Sequence, residues 1–499
     1  MGVFLIFSIA IAVLAFWFFY WQRRNLPPGP IPIPFYGNMY KFRFESIETL
    51  LPKWHKYYGD IMTVWMGTIP VVTIHDTKTI FETFLKDGEA YANRTEMTWN
   101  EVTKGGPFGI VFSSGALWRE NRRFVLYVFR NFGLGKNIMQ ERVLDDVCGL
   151  IKTLKDEIAS GAPEIHLFDE IDITIGSIIN SIMMGYKFDR SKREEFYKVK
   201  KLAMNVVSYQ KYLTFRLMMN NYKLFMHLPV FKDMYKMVST NAEDMRGFLW
   251  GQINEHRKQV NLDADEEPTD FVEAYLRHQH KLKKEGVVGH NFHDSQLYAT
   301  LLDVWVAAQE TTATTLNWIF IYIIQHPEVQ AKAHAELDKY ISSDRIVTLD
   351  DKTNLNYINA IIAESQRVSN VVPFNVFHET TRDVEIKGYK LPKGTVCTYQ
   401  IPTVLRDERY FKDPEVFRPE RFLDESGKFF QPAELIPFGL GKRVCLGEGM
   451  ARLELYLFTA NLLNHFKLVE LPGKPVEGKR CIAGTITPTP WVCGLEQRY

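Results

Sequence analysis

Apolar residues follow three successive patterns along this chain, and the first is an unbroken run. Residues 2–21 are almost entirely apolar, aromatic side chains crowd the end of the run, and Arg23 and Arg24 follow. About 20 apolar residues span the hydrocarbon core of a bilayer, and Trp and Tyr suit its headgroup level. A cleaved signal peptide would carry basic residues before the apolar run, and none precedes it here. We therefore predict that residues 1–21 are a retained transmembrane signal anchor, with the rest of the chain in the cytosol.

Prolines interrupt the chain directly behind this run. Within residues 22–35 they stand at Pro27, Pro28, Pro30, Pro32 and Pro34. Proline has no N–H and cannot continue a helix, so the segment is stiff and extended. It could serve as a proline-rich binding ligand or as a spacer. Its position behind the anchor favours the spacer, and we predict that residues 22–35 are a hinge.

The remaining patterns alternate between strand and helix periods. Residues 61–66 and 71–74 predict paired strands around a turn at Gly67. Helical patterns dominate from 116 to 370, and the one from about 294 to 325 is apolar nearly all round, which is typical of a buried helix. Short strand candidates follow residue 371. We predict a mostly helical α+β fold, with a long central buried helix and a small β-rich lobe, in one domain over residues 36–499.

Composition narrows the class of protein. The 60 basic and 59 acidic residues leave a net charge of +1, which gives no reason to expect nucleic acid as a partner. The five cysteines form no Cys-x-x-Cys pair, so a disulfide framework or a structural zinc site is not expected. Apolar residues make up 46% of the chain, which suits a deep core and an apolar pocket.

The segment from Phe438 to Gly447 carries the strongest chemical pattern. Its glycines permit tight turns and close approach to a flat ligand, and Cys445 comes at the start of a helical pattern. A helix N-terminus favours a thiolate over a thiol, and Arg443 adds a cation nearby. A phosphate-binding loop is excluded, because Arg443 stands where Ser or Thr is required. The loop therefore predicts a thiolate ligand for a haem iron.

The spacing Phe-x-x-Gly-x-Arg-x-Cys-x-Gly resembles the haem-binding loop of the cytochrome P450 superfamily, and all of its fixed positions are present. The resemblance implies the cytochrome P450 fold and haem b, with Cys445 as the iron ligand. It also implies cofactor contacts from Phe438, Gly439 and Arg443. Outside the loop, it implies that Trp118, Arg122, Arg94 and His378 bind the haem propionates.

These propionate contacts have a physical basis, because two buried carboxylates need a cationic surround. Trp118 and Arg122 are four residues apart and would share one face of a helix. His378 has a second interpretation, since a lone His is more often a hydrogen-bonded structural residue.

Glu310 and Thr311 lie in the middle of the long buried helical pattern. A buried carboxylate is costly unless it has a partner or a chemical task, and an acid beside a hydroxyl can relay protons. The pair resembles the family's oxygen-activation motif, which implies that both residues are catalytic. Ala308 departs from that motif, where the family usually has Gly. The other interpretation is a plain buried helix in which Glu310 forms a structural ion pair.

Glu364 and Arg367, with Arg421 later in the chain, resemble the family's Glu–Arg–Arg lock. We assign these three residues to folding and to support of the haem loop. They have no expected role in the chemistry.

The resemblance implies a membrane-bound monooxygenase of the microsomal class, similar to the clan with drug- and steroid-hydroxylating members. It would insert one atom of O2 into a small apolar xenobiotic, steroid or fatty acid. No G-x-G-x-x-G unit is present to bind NADPH, so the electrons would come from NADPH through a separate reductase. Cytochrome b5 is a candidate for the same docking face, whose expected cations are Arg119, Arg122, Arg123 and Lys442.

The expected location is the endoplasmic reticulum membrane, crossed once, with the catalytic domain facing the cytosol. Two other functions remain open: a haem-thiolate isomerase or dehydratase of lipid hydroperoxides, which needs no reductase, and a non-catalytic haem sensor. Apolar residues expected at the pocket wall are Phe108, Ile110, Val111, Phe112, Val371, Val372, Phe374 and Ile486. Core packing explains half of them equally well.

Overall fold

A computed structural model describes residues 2–133, 137–209, 212–218, 222–482 and 484–499. Helices dominate the described residues, as expected. In chain order they are α1 (Gly2–Phe19), α2 (Ile47–Tyr58), α3 (Thr77–Ile80), α4 (Trp99–Lys104), α5 (Gly115–Asn131), α6 (Asn137–Ala159), α7 (Leu167–Met184), α8 (Arg193–Ser208), α9 (Leu213–Met218), α10 (Tyr222–Phe225), α11 (Pro229–Gln259), α12 (Phe271–Lys284), α13 (Asp294–Gln325), α14 (Pro327–Tyr340), α15 (Asn356–Ser369), α16 (Ile401–Leu405) and α17 (Glu448–His465).

The strands are short and most of them lie near the two ends of the domain. They are β1 (Ile61–Met66), β2 (Ile69–Ile74), β3 (His378–Glu379), β4 (Val384–Ile386), β5 (Tyr389–Leu391), β6 (Val396–Tyr399), β7 (Phe466–Val469), β8 (Arg480–Ile482), β9 (Ile486–Pro488) and β10 (Gly494–Gln497). The largest sheet has the order β1-β2-β6-β3, with β1 and β2 antiparallel and β2 parallel to β6. The hairpin around Gly67 and the strands after residue 371 are confirmed.

Helix α1 is the apolar run at the N-terminus. Residues 4–23 have a mean hydropathy of 2.3, and none of the residues in this span is buried inside the protein. Among the described residues, this is the one helix long and apolar enough to cross a membrane, which fits the predicted anchor. Met1, the first residue of that predicted segment, lies outside the described residues.

The proline segment differs from a free hinge, because part of it is bound to β1. The N–H of Thr63 donates to the carbonyl of Pro28 at 2.8 Å, and its hydroxyl donates to the carbonyl of Pro27 at 2.9 Å. A Cβ on Gly29 would lie 1.9 Å from the Thr63 carbonyl oxygen, so only glycine fits there. Residues 27–29 are therefore packed against β1, and residues 22–26 connect them to α1.

Helix α13 is the centre of the fold and spans the predicted residues. It packs against α7, α15 and α17, and most of its side chains are buried. This packing explains why few positions of α13 are polar, because a helix surrounded by other helices has no polar face. One stripe departs from this burial: Val304, Ala307, Ala308 and Thr311 keep accessible surface. These positions share one helical face, so the stripe lines an internal cleft.

Candidate haem site

The cysteine loop is held against two other segments by its glycines. Gly441 has φ +76°, and a Cβ there would lie 2.0 Å from the carbonyl oxygen of Phe84. Gly439 has φ +70°, and a Cβ there would lie 2.6 Å from the Tyr399 hydroxyl. Gly447 differs, since its φ is −89° and a Cβ would meet nothing within 4 Å. Two of the three expected glycines are therefore required by the backbone.

Cys445 lies in this loop, just before α17 begins. Its N–H donates to the Phe438 carbonyl at 3.0 Å, which closes the loop. The residue has accessible surface, yet burial raises the pKa of its thiol, while the Gly447 N–H and the Arg122 guanidinium oppose that rise. The accessible side of the thiol therefore faces an enclosed cleft. The cation that opposes the rise is Arg122, whereas the Arg443 guanidinium donates to backbone carbonyls, and its expected role beside the thiol stays a prediction.

Three arginines gather beside the loop from distant parts of the chain. Arg443 donates to the carbonyls of Ala92, Ile110 and Ser113 at 2.7, 3.2 and 2.6 Å. Arg94 donates to the carbonyls of Val376 and Phe377, both at 2.9 Å, and Arg122 donates to the Val444 carbonyl at 2.6 Å. Carbonyl oxygens thus hold the three guanidinium groups in place without neutralising them.

No carboxylate compensates this arginine cluster, which we define as Arg94, Arg122 and Arg443. Within the described chain, no Asp or Glu oxygen lies within 4.0 Å of any of the three. Burial, followed by repulsion from Arg94 and Arg122, lowers the pKa of Arg443 to about 8. Burial also lowers the pKa of Arg94, to about 10. Uncompensated buried charge of this kind is costly, and an anionic ligand would relieve it.

Trp118 and His378 border the arginine cluster. The Arg443 guanidinium lies 3.8 Å from the centre of a Trp118 ring, and the Trp118 Nε1–H is buried without an acceptor. His378 is buried, and its Nδ1–H donates to the Tyr91 carbonyl at 2.7 Å. Burial and the nearby Arg94 lower the pKa of His378 well below its usual value, which keeps the ring neutral. His378 therefore makes a structural hydrogen bond, as the second interpretation expected. Its Nε2 could donate to a propionate only if the negative charge of that group raised the pKa of His378 and protonated the ring.

These residues fit haem b. The propionates need two or more cationic donors, and the arginine cluster supplies them together with the unbonded Arg94 Nε and Trp118 Nε1. Cys445 would supply the thiolate that ligates the haem iron, since its sulfur is accessible within an enclosed cleft. The expected Phe438 and Gly439 contribute backbone shape, and the Phe438 ring carries the Arg452 guanidinium 4.9 Å from its centre.

Thr311 lies on the accessible stripe of α13, and its hydroxyl donates to the Ala307 carbonyl at 2.7 Å. This bond occupies the hydroxyl proton and leaves the oxygen as an acceptor. Ala308 lies on the same stripe, so its methyl group projects into the cleft where glycine would leave space.

Glu310 faces away from that stripe and belongs to a buried acid cluster, defined as Glu310, Asp172 and Lys200. The Lys200 ammonium lies 2.5 Å from an Asp172 oxygen and 3.4 Å from a Glu310 oxygen. Gln309 donates to Asp172 at 2.8 Å. Burial raises the pKa of both carboxyl groups, and Lys200 only partly offsets it. Since one ammonium faces two carboxylates, the cluster can retain a proton.

No pattern in the sequence indicates that Lys200 and Asp172 belong to this cluster. Lys200 lies between Lys198 and Lys201 in the amphipathic α8, and nothing local distinguishes it from these neighbours. Its burial follows from the packing of α8 near α7 and α13. Glu310 therefore forms an ion pair with Lys200, as its second interpretation expected.

A second buried ion pair fixes the loop in front of α13. Lys104 is ion-paired with Asp303, whose other oxygen accepts hydrogen bonds from the N–H groups of Ile110 and Val111 at 2.8 and 3.0 Å.

Among the expected wall residues, Ile110 and Ile486 are buried in the core, while the others keep accessible surface: Phe108, Val111, Phe112, Val371, Val372 and Phe374. Core packing accounts for these two, and Phe108, Val371 and Phe374 also pack against buried core clusters.

The expected Glu–Arg–Arg group forms as a buried network. Arg367 donates to both oxygens of Glu364 at 2.7 and 2.9 Å, and Arg421 donates to Glu364 at 3.0 Å. Arg367 also donates to the carbonyls of Leu405 and Pro414, which joins α15 to the segment leading to the cysteine loop.

Comparison with known proteins agrees with this geometry. The family model described as "Cytochrome P450" matches residues 27–490. "Cytochrome P450 2C4" of Oryctolagus cuniculus is 34% identical over 90% of this chain and 89% of its own length. "Cytochrome P450 2B19" of Mus musculus is 34% identical over 89% and 88%, and "Cytochrome P450 2C7" of Rattus norvegicus is 32% identical over 94% and 93%. The expected family and fold are confirmed: the chain belongs to the cytochrome P450 family and is a haem b-dependent monooxygenase.

Proposed function

We propose that this protein inserts one oxygen atom from O2 into a small apolar xenobiotic, steroid or fatty acid, with electrons from NADPH delivered by a separate reductase. The observation that carries the proposal is the pairing of two features at the cysteine loop. Cys445 has an accessible sulfur, and the arginine cluster beside it has no counter-charge. In the proposed assignment, Cys445 is the iron ligand, and Arg94, Arg122, Arg443, Trp118 and His378 surround the propionates.

When bound, the haem supplies oxygen activation, with one oxygen atom transferred to the substrate and the other released as water. The chain's own residues position the substrate and move protons. The Thr311 hydroxyl accepts and passes a proton at Oγ1 beside the cleft. Glu310 is the proposed proton source behind it, because burial raises its pKa and favours its protonated form. The partly accessible Phe108, Val111 and Phe112 exclude water and select apolar ligands.

The proposed domains keep the predicted bounds, but part of the proline segment is bound to the domain that follows it. Residues 1–21 anchor the protein in the endoplasmic reticulum membrane, residues 22–35 lead into residues 36–499, and part of that leader is bound to β1. The catalytic domain faces the cytosol, where the reductase and cytochrome b5 compete for the surface over the cysteine loop.

A reconstituted assay tests the proposal. The full chain, loaded with haem in lipid vesicles, should convert an apolar substrate to a hydroxylated product only with NADPH and reductase. Its reduced CO complex should absorb as a thiolate-ligated haem. Cys445→Ser should lose that absorption and the activity, whereas Cys481→Ser, at another exposed cysteine, should keep both. Retention of the thiolate spectrum by Cys445→Ser would refute the ligand assignment.

One observation supports a second candidate, a haem-thiolate isomerase or dehydratase of lipid hydroperoxides. Such an enzyme needs no proton from Glu310, and Glu310 is ion-paired with Lys200. This candidate predicts turnover of a fatty-acid hydroperoxide without NADPH or reductase, and the same vesicles allow both reactions to be measured.

A further inference from the structure

The surface over the cysteine loop contains a carboxylate that bridges two of the cations expected to dock a reductase. A Glu89 oxygen lies 2.5 Å from an Arg119 nitrogen, and the other oxygen lies 3.0 Å from the Lys442 ammonium. Arg119 belongs to α5 and Lys442 to the cysteine loop. Glu89 therefore joins the two elements that frame the site from outside.

Backbone contacts fix Glu89 in this position. A Cβ on the neighbouring Gly88 would lie 3.1 Å from the Lys442 side chain, so the two segments are in close contact. The Thr381 hydroxyl donates to the Glu89 carbonyl at 3.0 Å, and the Thr381 N–H donates to the Ala90 carbonyl at 2.8 Å. Lys442 and Arg119 lower the pKa of the Glu89 carboxyl, so it is ionised at neutral pH.

Of the four cations expected to dock a reductase, fewer are available on the surface than the sequence indicated. Arg122 is turned inward, toward the Val444 carbonyl and the Cys445 thiol. Arg119 and Lys442 are both engaged by Glu89. Within the described residues, Arg123 is exposed and has no carboxylate within 4.0 Å. One carboxylate therefore engages two of the three expected docking cations that remain on the surface.

We infer that Glu89 restrains docking of an acidic redox partner by occupying Arg119 and Lys442. The inference rests on the proposed function, since it concerns the reductase. The three side chains are 52%, 52% and 50% exposed, so their ion pairs add little to the stability of the fold. Their charge still acts on an approaching partner, because surface charges mainly set the association rate and its salt dependence. A partner has to displace Glu89 or tolerate it, and this slows its association and weakens binding.

The test measures the affinity of the NADPH-dependent reductase for the haem-loaded full chain in lipid vesicles, at several salt concentrations. Glu89→Gln should bind the reductase about threefold more tightly at 10 mM ionic strength, and the difference should vanish near 1 M, where the screening length is about 3 Å. Arg119→Gln should weaken binding. An unchanged CO spectrum in each variant verifies that the haem site is intact.

Glu496→Gln is the matched control. Glu496 forms an exposed pair with Lys467 at 2.8 Å, just beyond the far end of α17, whose 18 residues span about 27 Å. This variant should bind like the wild type. Equal or weaker binding by Glu89→Gln would overturn the inference, while salt-dependent docking of the wild type would leave the proposed function standing. A wild type that binds no reductase would refute both.

Discussion

The arginine cluster and the acid cluster are both buried and charged, but only the acid cluster contains a side chain of opposite charge. Lys200 reaches both Asp172 and Glu310, so the acid cluster contains its own counter-charge. Arg94, Arg122 and Arg443 have carbonyl partners only. A buried charge without a partner has a large cost in free energy. The comparison indicates that the arginine cluster is built for an anionic ligand, whereas the acid cluster has a cation of its own and can retain a proton.

The same comparison separates two kinds of buried arginine. Arg367 and Arg421 share Glu364 and are neutralised within the chain. Arg443 is similarly rich in hydrogen bonds, yet its pKa falls to about 8 through burial and its two neighbours. Hydrogen bonding alone therefore does not identify a ligand site, and the useful criterion is missing counter-charge.

The largest expected effect is on stability, from removing the only cation of the acid cluster as defined above. Lys200→Met leaves two buried carboxyl groups without a cation and should lower the free energy of unfolding by about 3–5 kcal/mol at neutral pH. Urea titration followed by tryptophan fluorescence measures this loss. Lys467→Met, which removes the cation of an exposed pair, should unfold like the wild type.

The pH dependence of the same variant sharpens this result. Burial raises the folded-state pKa of Asp172 and Glu310 above their unfolded-state values. Such groups favour folding at low pH, and the benefit declines as the pH rises through the folded-state pKa. The loss caused by Lys200→Met should therefore be smaller at pH 5 than at pH 8. A loss that does not vary with pH would show that the cost comes from packing rather than from charge.

The next effect concerns ligand binding. Arg94→Met should weaken haem retention by about 10- to 100-fold, because one charge-assisted hydrogen bond is worth about 1.5–3 kcal/mol. Transfer of haem to an acceptor protein measures it. The haem-free protein should be no less stable than the wild type, since repulsion with Arg122 is relieved. An equal loss of stability with and without haem would mean that Arg94 is a structural residue.

A smaller effect is expected on proton delivery. Thr311→Ala should keep haem and substrate binding but divert electrons to hydrogen peroxide. General acid–base steps typically contribute at least about 100-fold in rate. The amount of product formed per NADPH should fall by less than this, because water partly replaces the hydroxyl. Glu310→Gln should have a weaker effect, since its neighbour Lys200 remains. Unchanged ratios of product to peroxide in both variants would assign the two residues to structure and favour the isomerase.

The smallest effect should come from removing the anchor. A chain that begins near Leu26 keeps the contacts of Pro27 and Pro28 with β1, so its CO spectrum should match that of the full chain. Loss of the thiolate spectrum would show that α1 supports the haem site.

Sequence reasoning succeeded where chemistry depends on neighbours along the chain. The bounds of α13, the hairpin around Gly67 and the cysteine loop all follow from local periodicity, turn residues and spacing. The family followed from the loop and the motifs in chain order. These features are local because hydrogen bonding and helical periodicity act over a few residues.

Tertiary structure decided which charges meet. Lys200 lies 110 residues before Glu310 in the sequence, and Glu89 lies 353 residues before Lys442. No local pattern marks these partners, and the same side chains would be ordinary surface residues on other folds. Arg443 illustrates the limit: the sequence placed it beside Cys445, but the fold turns its guanidinium toward Ala92, Ile110 and Ser113. Sequence determined the loop and its thiol, whereas the direction of each charge depended on long-range packing and the cost of burying it unpaired.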